Sequence, residues 1–87
     1  MGSPAHFLLT NHASVVLRER GIPVEWVRRV LERPRLCLPD AGDPELLHAL
    51  APIVEREDRV FRVLYNPEKE PLLVVTAYFD RGWRGLL

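Results

Sequence analysis

The run Arg59-Val60-Phe61-Arg62-Val63-Leu64-Tyr65, the segment Asn66-Pro67-Glu68-Lys69-Glu70-Pro71 and the run Leu72-Leu73-Val74-Val75-Thr76-Ala77-Tyr78-Phe79 together decide the fold. In the first run Val60, Arg62 and Leu64 alternate with Phe61, Val63 and Tyr65, the two-residue period of a strand. The middle segment is polar and bounded by proline, so it reads as a turn, and the two runs form a hairpin. Leu72-Leu73-Val74-Val75 is almost continuously apolar, which suggests burial on both faces at the centre of a sheet.

A strong hairpin needs further partners to be stable, and the chain upstream supplies them. In the segment 45–54, Asp43-Pro44-Glu45 looks like a helix start, and Leu46, Leu47 and Leu50 fit helical spacing. Pro52 would break that helix within two turns, so the segment reads better as a strand beside Arg59–Tyr65. Arg35-Leu36-Cys37-Leu38-Pro39 alternates as a further short strand, and Asp40-Ala41-Gly42-Asp43-Pro44 is a turn cluster.

Nearer the N-terminus the period changes. His6-Phe7-Leu8-Leu9 suits a short edge strand, and Thr10 or Asn11 offers a side-chain oxygen to cap a helix over about Asn11–Arg20. Ala13, Val16 and Leu17 share one stripe, and Gly21 stands where a left-handed terminating residue belongs. Pro23 suits the start of a second helix. Val24, Val27, Val30 and Leu31 form its apolar stripe, Glu25–Arg29 and Arg28–Glu32 are spaced as ion pairs, and Pro34 stops it. The short Gly21-Ile22 connection predicts a tight helical hairpin. The tail Asp80-Arg81-Gly82-Trp83-Arg84-Gly85 is polar and glycine-rich.

Eighty-seven residues allow one domain. The single cysteine, Cys37, excludes an internal disulfide and a cysteine-based zinc site, and three histidines without a helical i, i+4 pair argue against any metal. Met1-Gly2-Ser3-Pro4-Ala5-His6 has no basic region leading into a long apolar run, and nothing approaches a membrane span, so a cytoplasmic protein is expected. The net charge of zero hides an uneven distribution. Residues 12–35 carry six arginines against three glutamates, residues 40–58 carry six acids against Arg56, and residues 59–87 carry five basic residues against three acids. Eleven of the twelve basic residues are arginine, the better fork for phosphate, although a GC-rich genome gives the same bias. Bulk charge does not announce a nucleic-acid binder.

Several stretches together resemble a bacterial family, domain of unknown function 4258. They are Asn11-His12-Ala13, Leu17-Arg18-Glu19-Arg20-Gly21-Ile22, Trp26-Val27, Val30-Leu31 and Arg33-Pro34, then Asp43-Pro44-Glu45-Leu46 and His48-Ala49-Leu50. They continue as Arg59-Val60, Arg62-Val63-Leu64-Tyr65-Asn66, Val74-Val75-Thr76 and Tyr78-Phe79-Asp80-Arg81. Pro23 departs from the family, which usually has Ser, Thr or Asp capping the second helix. The family in turn resembles the RelE/ParE toxin superfamily. That resemblance implies an α+β fold, an N-terminal helical hairpin packed on a curved antiparallel sheet of three to four strands. It also implies metal-independent RNA cleavage or RNA binding without a cofactor. The alternative is a toxin fold kept for binding a protein, such as an antitoxin-like peptide that adds a strand to the sheet.

Cleavage of this kind needs a base, an acid and cations around the phosphate. His12, in the first helical turn where the positive helix end favours neutral imidazole, is the candidate base; it equally suits a hydrogen bond to the adjacent strand. His48 is the candidate acid, or a structural histidine. Arg62 interrupts an apolar strand face and therefore needs a phosphate or a carboxylate, with Asp80 the candidate internal partner. Arg20, Arg81, Tyr65 and Tyr78 are the candidate substrate contacts, the tyrosines either stacking a base or simply packing. If the helical hairpin crosses the sheet, the tips of His12, His48 and Arg62 are expected within roughly 10 Å of one another at an open concavity.

Overall fold

The computed structural model describes residues 6–87; the segment 1–5, read above for a leader, lies outside them. Five strands form one mixed, open sheet: β1 (Phe7–Leu9), β2 (Leu36–Pro39), β3 (Leu47–Ile53), β4 (Arg59–Asn66) and β5 (Leu72–Phe79), in the spatial order β1-β5-β4-β3-β2. Two helices, α1 (Asn11–Glu19) and α2 (Val24–Glu32), lie between β1 and β2 in the chain. The ambiguous segment is a strand: β3 pairs antiparallel with β4 from Leu47↔Tyr65 to Ile53↔Arg59.

Two expectations are corrected here. The sheet has five strands rather than three to four, because the short runs at both edges join it. It is mixed rather than antiparallel, because β1 pairs parallel with β5 through Phe7↔Leu72, Leu8↔Leu73 and Leu9↔Val74. A parallel pair needs a long crossover between its strands, and the rest of the domain supplies it. The central strand is consequently β4, while in β5 Leu72 and Val74 are buried and Leu73 and Val75 only half-buried.

Thr10 fixes where the first helix begins. Its Oγ1 accepts from the Ala13 N–H at 3.0 Å and donates to the Val75 carbonyl at 2.8 Å, while its N–H donates to the Val74 carbonyl at 2.9 Å. Val75 is the residue skipped in the β4–β5 register, between Leu64↔Thr76 and Tyr65↔Val74. A bulge leaves backbone groups unpaired, and Thr10 satisfies one of them. Gly21, at φ +63°, ends the first helical segment in the left-handed region that an L side chain occupies only at a cost.

The two helices follow one another across a four-residue connection, residues 20–23. α1 packs on β5 and β1, and α2 packs on β3 and β4, so they spread across one face of the sheet. The expected stripe on α2 shifts: Val24 is exposed, and Trp26 is buried with Val27, Val30 and Leu31. Of the expected i, i+4 pairs, neither forms; Arg28 pairs with Glu25 at 2.6 Å, and Arg29 reaches across to Glu55 at 2.7 and 2.8 Å.

The core lies between the helices and that face. Ala13, Leu17, Val27 and Val30 meet Ala49, Ile53, Phe61, Val63, Val74 and Ala77 there. Burying each larger side chain contributes about 1.5–3 kcal/mol. The alternate positions His48, Leu50, Arg62, Leu64 and Tyr78 therefore point to the face without helices. Among the described residues, no helix is long and apolar enough to cross a membrane.

Candidate functional site

His48 and Arg62 meet on the face without helices. The pairs His48↔Leu64 and Leu50↔Arg62 make them diagonal neighbours on adjacent strands. The Arg62 guanidinium lies 3.1 Å from His48 Nδ1 and, through its other terminal nitrogen, 2.9 Å from Asp80 Oδ2. His48 Nε2 lies 2.7 Å from Asp40 Oδ1. An arginine can only donate, so Nδ1 accepts and the ring carries its proton on Nε2, which donates to Asp40.

Asp40 and Asp80 are also held by turns. Asp40 Oδ2 accepts from the Gly42 and Asp43 N–H groups, each at 3.0 Å, and Asp80 Oδ1 accepts from the Gly82 N–H at 2.9 Å. The hydrogen bond from His48, and then that from Gly42, hold the Asp40 carboxyl below its ordinary pKa. Among the described residues, Arg62 Nε is the one buried side-chain nitrogen or oxygen without a hydrogen-bond partner. Asp40, His48, Arg62 and Asp80 thus form an internal network, and the expected Arg62–Asp80 pairing is present.

His12 does not join it. It is exposed in the first turn of α1, in the helical layer on the other face of the sheet, and its side chain forms no hydrogen bond or ion pair among the described residues. The cause is the anchoring of Thr10 to Val74 and Val75, which sets the start of the helix beside β5 instead of the middle strands. Tyr65 faces the helices, half-buried, where burial and then the Cys37 side chain push its phenol up to about 12. Tyr78 is exposed beside Arg62. The two tyrosines therefore lie on opposite faces.

A different set of side chains converges where β4 begins and β5 ends. Phe79 pairs with Phe61 in register, with ring centroids 5.0 Å apart, and meets the edge of Trp26 at 6.3 Å. The Arg59 guanidinium lies 4.8 Å from the Phe79 ring centre; Arg56 lies 5.7 Å from that ring and 5.1 Å from Trp26. Two adjoining cavities open here. The larger, about 450 Å³, is lined by Glu57, Arg59, Phe79, Asp80, Arg81 and Arg84. The smaller, about 290 Å³, is lined by Arg20, Ile22, Arg56, Arg59, Phe79 and Arg81.

Among the described residues, none of Arg20, Arg56, Arg59, Arg81 and Arg84 forms an ion pair with a carboxylate. Of the two acids in the lining, Asp80 is already engaged by Arg62. Glu57 sits at the rim, where it and Asp58 take positive φ values of 57° and 61° as the chain turns into β4. The sequence reading named Arg20 and Arg81 as contacts, and the fold brings them together. It missed Arg56, Arg59 and Arg84. Arg56 lies within the most acidic segment of the chain, and no local spacing links it to Arg84.

No group of three or more His, Cys, Asp or Glu side chains suited to a metal ion is present among the described residues. No curated protein and no solved structure matches the sequence. Residues 9–79 match the model of the family described as Domain of unknown function (DUF4258), and the chain belongs to that family.

Proposed function

We propose that this is an RNA-binding domain of RelE/ParE-like character, and that it holds the phosphate backbone in the arginine-lined cleft around Phe79. One observation carries the reading. Five arginines from separate parts of the chain line the two cavities that share Phe79, in a protein of zero net charge, and none has a carboxylate partner among the described residues. Guanidinium groups match phosphate oxygens with parallel N–H donors, and stacking on an aromatic ring holds them in place before the ligand arrives.

Binding suits the geometry better than cleavage. A general base or acid must present a free nitrogen to the reacting group, whereas both ring nitrogens of His48 are engaged inside the protein. Arg62 is likewise committed to Asp80 and His48.

The test is a titration of a short, labelled single-stranded RNA by fluorescence anisotropy at several salt concentrations. Affinity should fall as salt rises, with about 0.7 in the log–log slope for each phosphate neutralised. Arg59→Ala and Arg81→Ala should weaken binding and flatten the slope, while Arg35→Ala, outside the cleft, should not. Absence of saturable binding at low salt, or equal binding by all three variants, sinks the reading.

A further inference from the structure

We infer that the two cavities form one subsite for two neighbouring phosphates of a sugar–phosphate strand, held without contact to the bases. The inference rests on the RNA-binding reading and adds to it the kind of group recognised. Arg59, Phe79 and Arg81 line both cavities; Arg84 belongs to the larger alone, and Arg20 and Arg56 to the smaller alone. The cationic groups are thus distributed over two lobes with a common wall. One phosphodiester offers two non-bridging oxygens, which one or two arginine forks satisfy. Five guanidinium groups in two lobes exceed that demand and suit two successive phosphates.

The aromatic side of the cleft excludes a stacked base. Recognition of unpaired bases relies on open aromatic faces. Among the described residues, Phe79 is the single aromatic residue lining either cavity, and its surroundings are taken by Arg59, Arg56, Phe61 and Trp26. Tyr78 precedes Phe79 on β5 and points to the opposite face of the sheet. Ligand recognition here depends on charge and spacing and is indifferent to base identity.

The lobes are unequal. Among the described residues, Glu57 and Asp80 line the larger cavity, and no carboxylate lines the smaller. The smaller lobe is therefore the stronger phosphate position.

Competition against labelled RNA tests this with inorganic phosphate, adenosine 5′-monophosphate, and the 3′,5′-bisphosphates of adenosine and uridine. Each bisphosphate should compete about tenfold better than the monophosphate, and the two bisphosphates should agree within about twofold. Arg20→Ala and Arg84→Ala change exposed side chains in different lobes, and each should remove the advantage of the bisphosphates. RNA binding in which the monophosphate competes as well, the base identity matters, or both variants keep the advantage overturns the subsite and leaves RNA binding standing. Should RNA itself not bind, the bisphosphate is titrated directly while the amide signals of Arg59, Phe79 and Arg81 are followed by NMR. Shifts there with bisphosphate and not with inorganic phosphate support the subsite for free nucleotides; their absence overturns it too.

Discussion

Arg62 and Asp80 are joined at 2.9 Å, and through that pair the middle of the sheet is tied to the turn that follows its last long strand. Their side chains are only 14% and 23% exposed, so losing one partner leaves the other poorly solvated. Asp80→Ala removes the counter-ion and the acceptor for the Gly82 N–H together. A loss of about 2–3 kcal/mol is expected, below the range for a fully buried pair because water still reaches this one. Replacing both partners by apolar side chains, Arg62→Met with Asp80→Leu, should recover most of it. Urea unfolding checks both, and an Asp80→Ala loss under about 0.5 kcal/mol would show the pair to be worth no more than a surface contact.

The neutral His48 ring should carry its proton on Nε2 in the folded protein, because Arg62 can only donate to Nδ1. Nitrogen chemical shifts of the ring distinguish the two tautomers directly. Arg62→Met should relax that preference without moving His48 away from Asp40. An Nδ1-protonated ring in the native protein would contradict donation from Arg62 to Nδ1.

Glu55 should make stability depend on acidity. Its hydrogen bonds to Arg29 hold the carboxyl down to about 2, against an ordinary value of 4.5. A depressed carboxylate contributes stability that is present above the unfolded value and disappears as pH falls through the folded one. Glu55→Gln should therefore lower the urea midpoint at pH 6, with the gap to the parent protein closing between pH 4.5 and about 2. A gap unchanged across that window would mean that the ion pair contributes nothing.

Glu57 is the carboxylate in the larger cavity with no partner among the described residues, and it opposes the binding of an anion there. Glu57→Gln keeps the size of the side chain and removes its charge. RNA affinity should rise about two- to fivefold at low salt, and the gain should shrink as salt screens it. Anisotropy titrations at low and moderate salt measure this; weaker binding by the variant would place the phosphate elsewhere.

The alternation at Arg59–Tyr65 and Leu72–Phe79, a cap at Thr10 or Asn11 and the left-handed turn at Gly21 were legible in the sequence because each depends on residues close together in the chain. Even the need of Arg62 for a phosphate or a carboxylate could be read there, since a charge on an apolar strand face must be compensated; that the partner is Asp80 was decided by the fold. The parallel docking of β1, and the separation of His12 from His48, were decided by where the bulge at Val75 receives Thr10, a contact 65 residues apart in sequence. Trp26 replaced Val24 in the core because the helix turned its larger apolar surface towards Phe79. The cleft depended most on tertiary structure: Arg20 follows α1, Arg56 and Arg59 flank the turn into β4, and Arg81 and Arg84 follow β5. Side chains so distant in sequence share no period, and only the packing of the sheet and helices around Phe79 brings their charges together.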